Sequence, residues 1–104
     1  DDVVIDRQTM ANEGVIIIVA QISEKEMKVN GPVRVSSFGL VDGKQESYFI
    51  KEVEDILAHF VDHIKESLLQ NHRAIEEELR KVVRKHCIRK YRKYPMIVPT
   101  IIVE

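Results

Sequence analysis

The most restrictive feature of this sequence is the apolar run Val15–Ile22, VIIIVAQI. Most of its residues are β-branched, which favours an extended strand over a helix. Successive side chains of a strand point to opposite sides, and here both sides are apolar. The run therefore predicts a strand that is buried on both faces of its sheet.

Two further strands are predicted, one before and one after a helical region. The first runs from about Lys28 to Val41, and a change in the side that its apolar residues occupy predicts a bulge around Ser36–Gly39. Residues 42–44, Asp-Gly-Lys, are interpreted as a turn. The second strand is Met96–Val103, where Pro99 has no N–H to donate and must face solvent or a bulge.

Between these strands, apolar residues recur every three or four positions and predict two helices. The stripe of the first helix consists of Ile50, Val53, Ile56, Leu57, Phe60, Val61, Ile64 and Leu68. Asn71 suits the N-cap of the second helix, which Pro95 is expected to end. The stripe of the second helix consists of Ile75, Leu79, Val82, Val83, Cys87 and Tyr91.

The predicted order β-β-α-α-β indicates an α+β domain of two layers, a three-stranded sheet packed with two helices. A length of 104 residues suits one domain. We assign residues 15–104 to this domain and residues 1–14, which are polar and mixed, to a tether from upstream domains. Because the sequence begins Asp1-Asp2 without an initiator Met, we expect a piece of a longer protein.

Both faces of the predicted sheet are apolar, yet two consecutive helices joined by a short turn most economically cover one face. The other face would then be an interaction surface, because soluble monomers rarely expose large apolar patches. The candidate interface residues on it are Val15, Ile17, Val19, Val98 and Ile102, and the alternative is the opposite face, with the neighbours of opposite parity beginning with Ile18. The alternative arrangement places one helix on each face and leaves no bare sheet.

Few residues suggest catalysis. His59 and His63 have a spacing that suits zinc, but a catalytic zinc site needs three protein ligands and a water position. Cys87 lies on an apolar helix stripe, as buried cysteines do, although Arg84 and His86 beside it would lower the pKa of an accessible thiol. The sequence predicts no catalytic residue, no cofactor site and no metal site in this chain.

The net charge of −1 conceals a strong zoning. Residues 46–78 include nine acidic and three basic residues, whereas residues 79–95 include eight basic and no acidic ones. A helix this basic can follow a phosphate backbone, with Tyr91 or Tyr94 as a stacking surface. The candidate RNA contacts are Arg84, Lys85, Arg89, Lys90 and Lys93. The alternative is a solvated helix face that complements the helix dipole and the acidic first helix.

Composition excludes several classes of protein. With 44% apolar and 32% charged residues, the chain is neither disordered nor fibrous. No apolar stretch reaches the roughly 18 residues that span a membrane. The single Cys87 cannot form an internal disulfide and indicates a reducing compartment, so we expect a cytoplasmic protein.

Three segments together resemble those of one known family, the C-terminal domain of ribonuclease J. Asp6–Gly14 (DRQTMANEG), leading into VIIIVAQI, resembles the end of that family's linker and its first strand. Gly31–Val41 (GPVRVSSFGLV) resembles its second strand, although the family often has Arg after the serine and Ser37 follows Ser36 here, so no role of that Arg carries over. Lys93–Ile101 (KYPMIVPTI) is similar to its basic-x-Pro-Met-Ile-Leu/Val-Pro-x-Ile segment.

The resemblance implies a parent ribonuclease with a metallo-β-lactamase core and an inserted β-CASP domain, which degrades and processes RNA as a 5′-to-3′ exonuclease and an endonuclease. In such enzymes two metal ions, typically zinc, activate the attacking water. Their ligands lie upstream, so the resemblance assigns no catalytic residue to this chain. It implies a domain that supports oligomer formation and full activity, with a second copy, the enzyme's own catalytic domains and RNA as partners.

Two hypotheses of different classes follow. In the favoured one, the chain is the assembly domain of a ribonuclease and supports a homodimer or higher homo-oligomer through its bare sheet face. In the other, it is a stand-alone nucleic-acid-binding module that uses the basic second helix.

Overall fold

The strands and helices of the computed structural model confirm the α+β class. The structure describes residues 13–104, so residues 1–12 of the predicted tether lie outside it. In chain order the elements are β1 (Val15–Ser23), β2 (Lys28–Val29), β3 (Arg34–Phe38), α1 (Gly43–Asp62), α2 (Glu66–Leu69), α3 (His72–His86), a π-helical turn (Cys87–Tyr91) and β4 (Met96–Val103).

β1 is the central strand of the sheet. β4 pairs with one of its edges in parallel, with Val15 opposite Met96 and Ile22 opposite Val103. β2 and β3 pair with its other edge, both antiparallel, and Val15 there lies opposite Phe38. The first and third strands are therefore confirmed, the first to within one residue. β3 returns the chain to the end of the sheet where β1 begins, and the helices then connect the β3 edge to the β4 edge.

The prediction of one continuous second strand is wrong. The chain forms β2 and β3 with residues 30–33 between them, so the described sheet has four strands instead of three. Gly31 has a φ of +76°, and Pro32 has no N–H for a strand ladder. This segment therefore cannot continue the pairing of β2.

The predicted bulge at Ser36–Gly39 is also wrong. β3 pairs with β1 in regular register from Arg34 to Phe38. β3 ends at Phe38. Gly39, the next residue, has a φ of +72°, and Leu40 after it is buried in the core. The change in the side of the apolar residues thus comes from a turn after the strand.

The prediction of two helices is wrong in its count, because the described residues form three. α1 begins at Gly43, inside the predicted turn, and ends at Asp62, after which His63 leaves helical geometry with φ −112° and ψ 12°. Leu68, the last residue of the predicted stripe, belongs to the separate helix α2. Since the apolar spacing continues across the break, periodicity does not reveal it.

Asn71 caps α3 as predicted, since its Oδ1 accepts the N–H of Ala74 at 3.1 Å. The helical segment does not extend to Pro95, however. It passes into the π-helical turn and stops at Arg92, which has a φ of +54°. The N–H of Arg92 donates to the carbonyl oxygen of Ile88 at 3.1 Å, which closes the last turn.

One hydrophobic core joins the helices to one face of the sheet. From β1 it takes the fully buried residues Ile16, Ile18, Ala20 and Ile22. From the two long helices it takes Phe49, Val53, Leu57, Ile75, Leu79 and Val83. Phe49 lies outside the stripe that the spacing predicts, so α1 turns a slightly different face to the core. The alternate residues of β1, beginning with Val15, stay outside this core.

Gly14, just before β1, hydrogen-bonds to the start of β4 and lies very close to the end of β3. Its carbonyl oxygen accepts the N–H of Met96 at 3.0 Å, and its φ is +93°. A Cβ at this position would lie 2.6 Å from the carbonyl oxygen of Phe38 and 2.8 Å from the nitrogen of Leu40. Because both are backbone atoms, only glycine fits without displacing a strand end.

We expect Gly14→Ala to destabilise the domain by about 2–4 kcal/mol, since it adds backbone strain and a steric clash. Gly31→Ala is the matched control, because its φ is also positive but a Cβ there meets nothing within 4 Å. Only the strain, about 1–2 kcal/mol, remains in the control. Urea unfolding measures both losses. Equal losses would show that the close approach of β1 to β3 contributes nothing.

Candidate functional site

The side of the sheet that faces away from the core forms an apolar surface, called here the open face. Its apolar residues are Val15, Ile17, Val19, Phe38, Met96, Val98 and Ile102, and the exposed polar residues Gln21, Arg34, Ser36 and Thr100 lie on the same side. The structure thus brings all five candidate interface residues together. Within residues 13–104 none of the seven belongs to the core or packs against it. Phe38 is 59% exposed and Ile102 43%, so the face presents large apolar side chains to solvent.

Both outer edges of the sheet are partly closed to a further strand. On β4, the carbonyl oxygen of Ile97 faces outward and accepts the Nε–H of Arg80 at 3.4 Å. Pro99, two residues later on the same edge, has no N–H. On β3, the N–H of Val35 donates to Oε2 of Glu54 at 3.0 Å. Since unpaired edge groups are what allows strand addition, this geometry favours contact through the open face.

The candidate RNA contacts differ in their exposure and in whether their charged groups are paired within the domain. Lys85 and Arg89 are exposed, and neither has an ion-pair partner within the described part of the chain. Arg84 is half-buried, and its guanidinium lies 5.7 Å from the ring centroid of Tyr94.

Lys90 and Lys93 are held by contacts within the domain. The Lys90 ammonium pairs with the carboxylate of Glu52, and the Lys93 ammonium donates to the carbonyl oxygen of Leu40. These two lysines therefore differ from Lys85, whose ammonium has no ion-pair partner in the described residues 13–104.

Glu52 is the centre of a polar cluster that the sequence analysis missed. Its Oε1 lies 2.6 Å from Nε2 of His86 and accepts the hydroxyl of Tyr91 at 3.0 Å. Its side chain is 17% exposed. Burial raises the pKa of this carboxyl, but hydrogen bonds from Lys90, His86 and Tyr91 together outweigh burial and hold the pKa below its ordinary value.

The same cluster shifts the pKa values of two partners of Glu52, Lys90 and Tyr91. The hydrogen bond to Glu52 raises the pKa of Lys90, and burial, followed by the hydrogen bond to Glu52, raises that of Tyr91. The acidic and basic zones of the sequence therefore partly neutralise each other where α1 meets the π-helical turn. The opposite signs of the two zones were the available signal for this contact.

The surroundings of Cys87 and of the pair His59 and His63 do not favour catalysis or metal binding. Cys87 is fully buried, and burial, with a smaller contribution from the charge of Glu52, raises the pKa of its thiol to about 12. His59 and His63 are exposed, with ring centroids 4.4 Å apart, and Nδ1 of His63 lies 2.9 Å from the carbonyl oxygen of His59.

Over residues 13–104, no three or more His, Cys, Asp or Glu side chains lie close enough together to hold a metal ion. Over the same residues, no helix has the length and apolar character to cross a membrane.

We expect Glu52→Gln to lower the free energy of unfolding at pH 7 by about 1–2 kcal/mol, because charge-assisted hydrogen bonds are lost. The folded-state pKa of Glu52 lies below its ordinary value of 4.5. Its contribution is therefore complete above that value and is lost as the pH falls through the folded-state pKa. Chemical denaturation at several pH values measures this difference, which should shrink in acid.

Asp55→Asn is the matched control, since Asp55 is an exposed carboxylate one turn further along α1. This variant should stay within about 0.5 kcal/mol of the parent chain. A Glu52→Gln loss that stays constant from neutral to acidic pH would contradict the role assigned to the charge.

Comparison with known proteins agrees with the resemblance of the sequence segments. The family model described as the ribonuclease J C-terminal domain matches residues 2–104. The ribonucleases J of Helicobacter pylori strains B128 and J99 are each 29% identical to this chain over 96 residues. These alignments cover 92% of this chain and 14% of each relative, so the chain spans only a small part of their length. Since the family match extends over nearly every residue, the chain belongs to the ribonuclease J C-terminal domain family.

Proposed function

We propose that this chain is a non-catalytic assembly domain of a ribonuclease J and that it joins two copies of the enzyme through the open face. The observation that carries the proposal is an apolar sheet surface that no element within residues 13–104 covers. Water contact with such a surface is unfavourable, so proteins rarely leave it free.

The size of the open face sets the strength of the expected association. β1 has nine residues, so the face is about 30 Å long, and three neighbouring strands make it about 14 Å wide. Because β3 lies beside only Val15–Val19, the area is at most about 400 Å² per copy, which is at most roughly half of what one partner contributes to a standard protein interface. We therefore expect stable dimers where other parts of the parent enzyme add contacts, and weak association of the domain alone.

A symmetric pairing of two copies suits this surface. When the same patch is used on both subunits, a two-fold axis closes the assembly at two members. Stacked sheets pack face to face at about 10 Å, with side chains of the two faces interdigitating. Arg80 on the β4 edge and Glu54 on the β3 edge occupy backbone groups that an edge-to-edge dimer would need.

We assign the nuclease chemistry to parts of the parent enzyme outside this chain. The relatives named ribonuclease J are about seven times longer than the aligned segment, which is 14% of their length. A two-zinc site needs a group of His and Asp ligands, and the described residues offer no such group. Exonucleolytic and endonucleolytic processing of cytoplasmic RNA is thus proposed for the catalytic domains, with this domain holding copies together.

The alternative function, a stand-alone nucleic-acid-binding module, has less support. It needs several free cations along one path and exposed aromatic faces. Lys90 and Lys93 are engaged within the domain, and the ring of Tyr94 lies beneath Arg84.

We expect Ile17→Asp and Ile102→Asp each to convert the dimeric parent enzyme into folded monomers, because the dimer would bury an unpaired carboxylate. Light scattering at matched concentrations gives the mass, and circular dichroism reports the fold. Ile88→Asp is the matched control. Ile88 is 40% exposed, close to the 43% of Ile102, but lies in the π-helical turn, so this variant should stay dimeric.

Ile18→Asp provides the opposite reference, since Ile18 is fully buried in the core and its replacement should unfold the domain. If both open-face variants remain soluble dimers of unchanged affinity, the proposal is wrong. Loss of the fold in Ile17→Asp together with a dimeric Ile102→Asp would contradict it as well.

A further inference from the structure

A shallow, open depression, called here the groove, lies on the solvent side of α3 and the start of the π-helical turn. It has a volume of about 390 Å³ and is lined by Lys81, Arg84, Lys85, Ile88 and Arg89. Steps of three, one, three and one residues along the chain place these side chains on one face of a helical segment. The buried stripe of α3, which begins at Ile75, is a different face.

The groove is lined by both apolar and cationic side chains. Ile88 is a large apolar side chain, 40% exposed, among charged neighbours. The hydrocarbon stems of Lys and Arg can pack against an apolar partner while their charged ends stay in water. Lys85 and Arg89 have no acidic partner within residues 13–104, and the exposed pair of Lys81 with Glu78, at 3.7 Å, contributes little. A complementary ligand therefore has an apolar anchor flanked by carboxylates.

The groove suits a protein better than RNA. Non-specific binding of single strands depends on aromatic faces on which bases stack. Within residues 13–104, no aromatic side chain lines the groove, and the ring centroid of Tyr94 lies 5.7 Å from the guanidinium of Arg84. The branched aliphatic side chain of Ile88 packs well against another aliphatic side chain.

We propose that this groove docks an acidic amphipathic helix of a partner protein. An apolar stripe on such a helix would lie on Ile88 and the stems around it, with carboxylates near Lys81, Lys85 and Arg89. The five lining residues span about 12 Å of helix, or two turns, so the partner contributes two to three turns. With a single apolar anchor, binding should be modest and sensitive to salt.

This docking does not depend on the assembly role of the domain. The groove lies on α3 and the π-helical turn, whereas the open face lies on β1, β3 and β4. A dimer could form without a groove ligand, and a groove ligand could bind a monomer.

The test is a titration of the ¹⁵N-labelled 104-residue chain, followed by amide chemical shifts. The first probe is a synthetic Glu-rich peptide of about 18 residues with Leu every third or fourth position, long enough to form a helix. The second has the same composition in an order that removes the stripe. The third is a single-stranded RNA of about 12 nucleotides, which covers one typical binding site.

The striped peptide should shift the amides of Lys85, Ile88 and Arg89 saturably and bind at least about fivefold more tightly than the reordered peptide. Ile88→Ser should weaken it about fivefold to tenfold. The double variant Lys85→Gln and Arg89→Gln should weaken it about tenfold and reduce its salt dependence. Lys51→Gln, which removes an exposed charge on α1, should leave the affinity unchanged.

Three outcomes would overturn the proposal. The first is the absence of saturable shifts at these amides with the striped peptide. The second is equal affinity for the two peptides, which would reduce the groove to a charged surface. The third is tighter binding of the RNA at the same residues, which would make the groove a nucleic-acid site.

Discussion

The parallel pairing of β1 with β4 determines how the rest of the domain is built. Phe38 at the end of β3 and Met96 at the start of β4 both lie opposite Val15 but on opposite edges of β1, so the chain between them has to cross β1 from one edge to the other. The helices make this crossing, and their buried residues join the core on one face of the sheet. The other face of the same two strands remains as the open face. One constraint on backbone pairing thus creates both the core and the proposed interaction surface.

The two faces of β1 could be predicted, because successive side chains of a strand point to opposite sides of the sheet. Alternation within VIIIVAQI separates Ile16 and Ile18, which are buried, from Ile17, which lies on the open face. The breaks in the elements were harder to predict. The interruption at Gly31 depends on a positive φ, and the end of α1 before His63 falls where the apolar spacing continues. Periodicity describes regular elements and is insensitive to where they stop.

Electrostatic contacts between distant residues were the other part that the sequence could not specify. Glu52 meets His86 across 34 residues, and Glu54 reaches the N–H of Val35 across 19. The zoning of charge predicted, as one alternative, that the basic segment complements the acidic first helix, but it did not identify which residues pair. The charges around Lys85 and Arg89, which have no ion-pair partner within residues 13–104, form a smaller surface than the whole basic segment.

If two copies are in contact through the open face, thiols placed on that face lie close enough to be cross-linked. Cys87 is buried and the pKa of its thiol is raised to about 12, so an introduced thiol is the reactive one in this domain. Ile17→Cys in the parent enzyme, treated with a short bismaleimide and analysed by mass spectrometry, should yield a dimer linked through residue 17 of both copies. Ile88→Cys should yield none. Efficient cross-linking through residue 88, with residue 17 unlinked, would contradict the account.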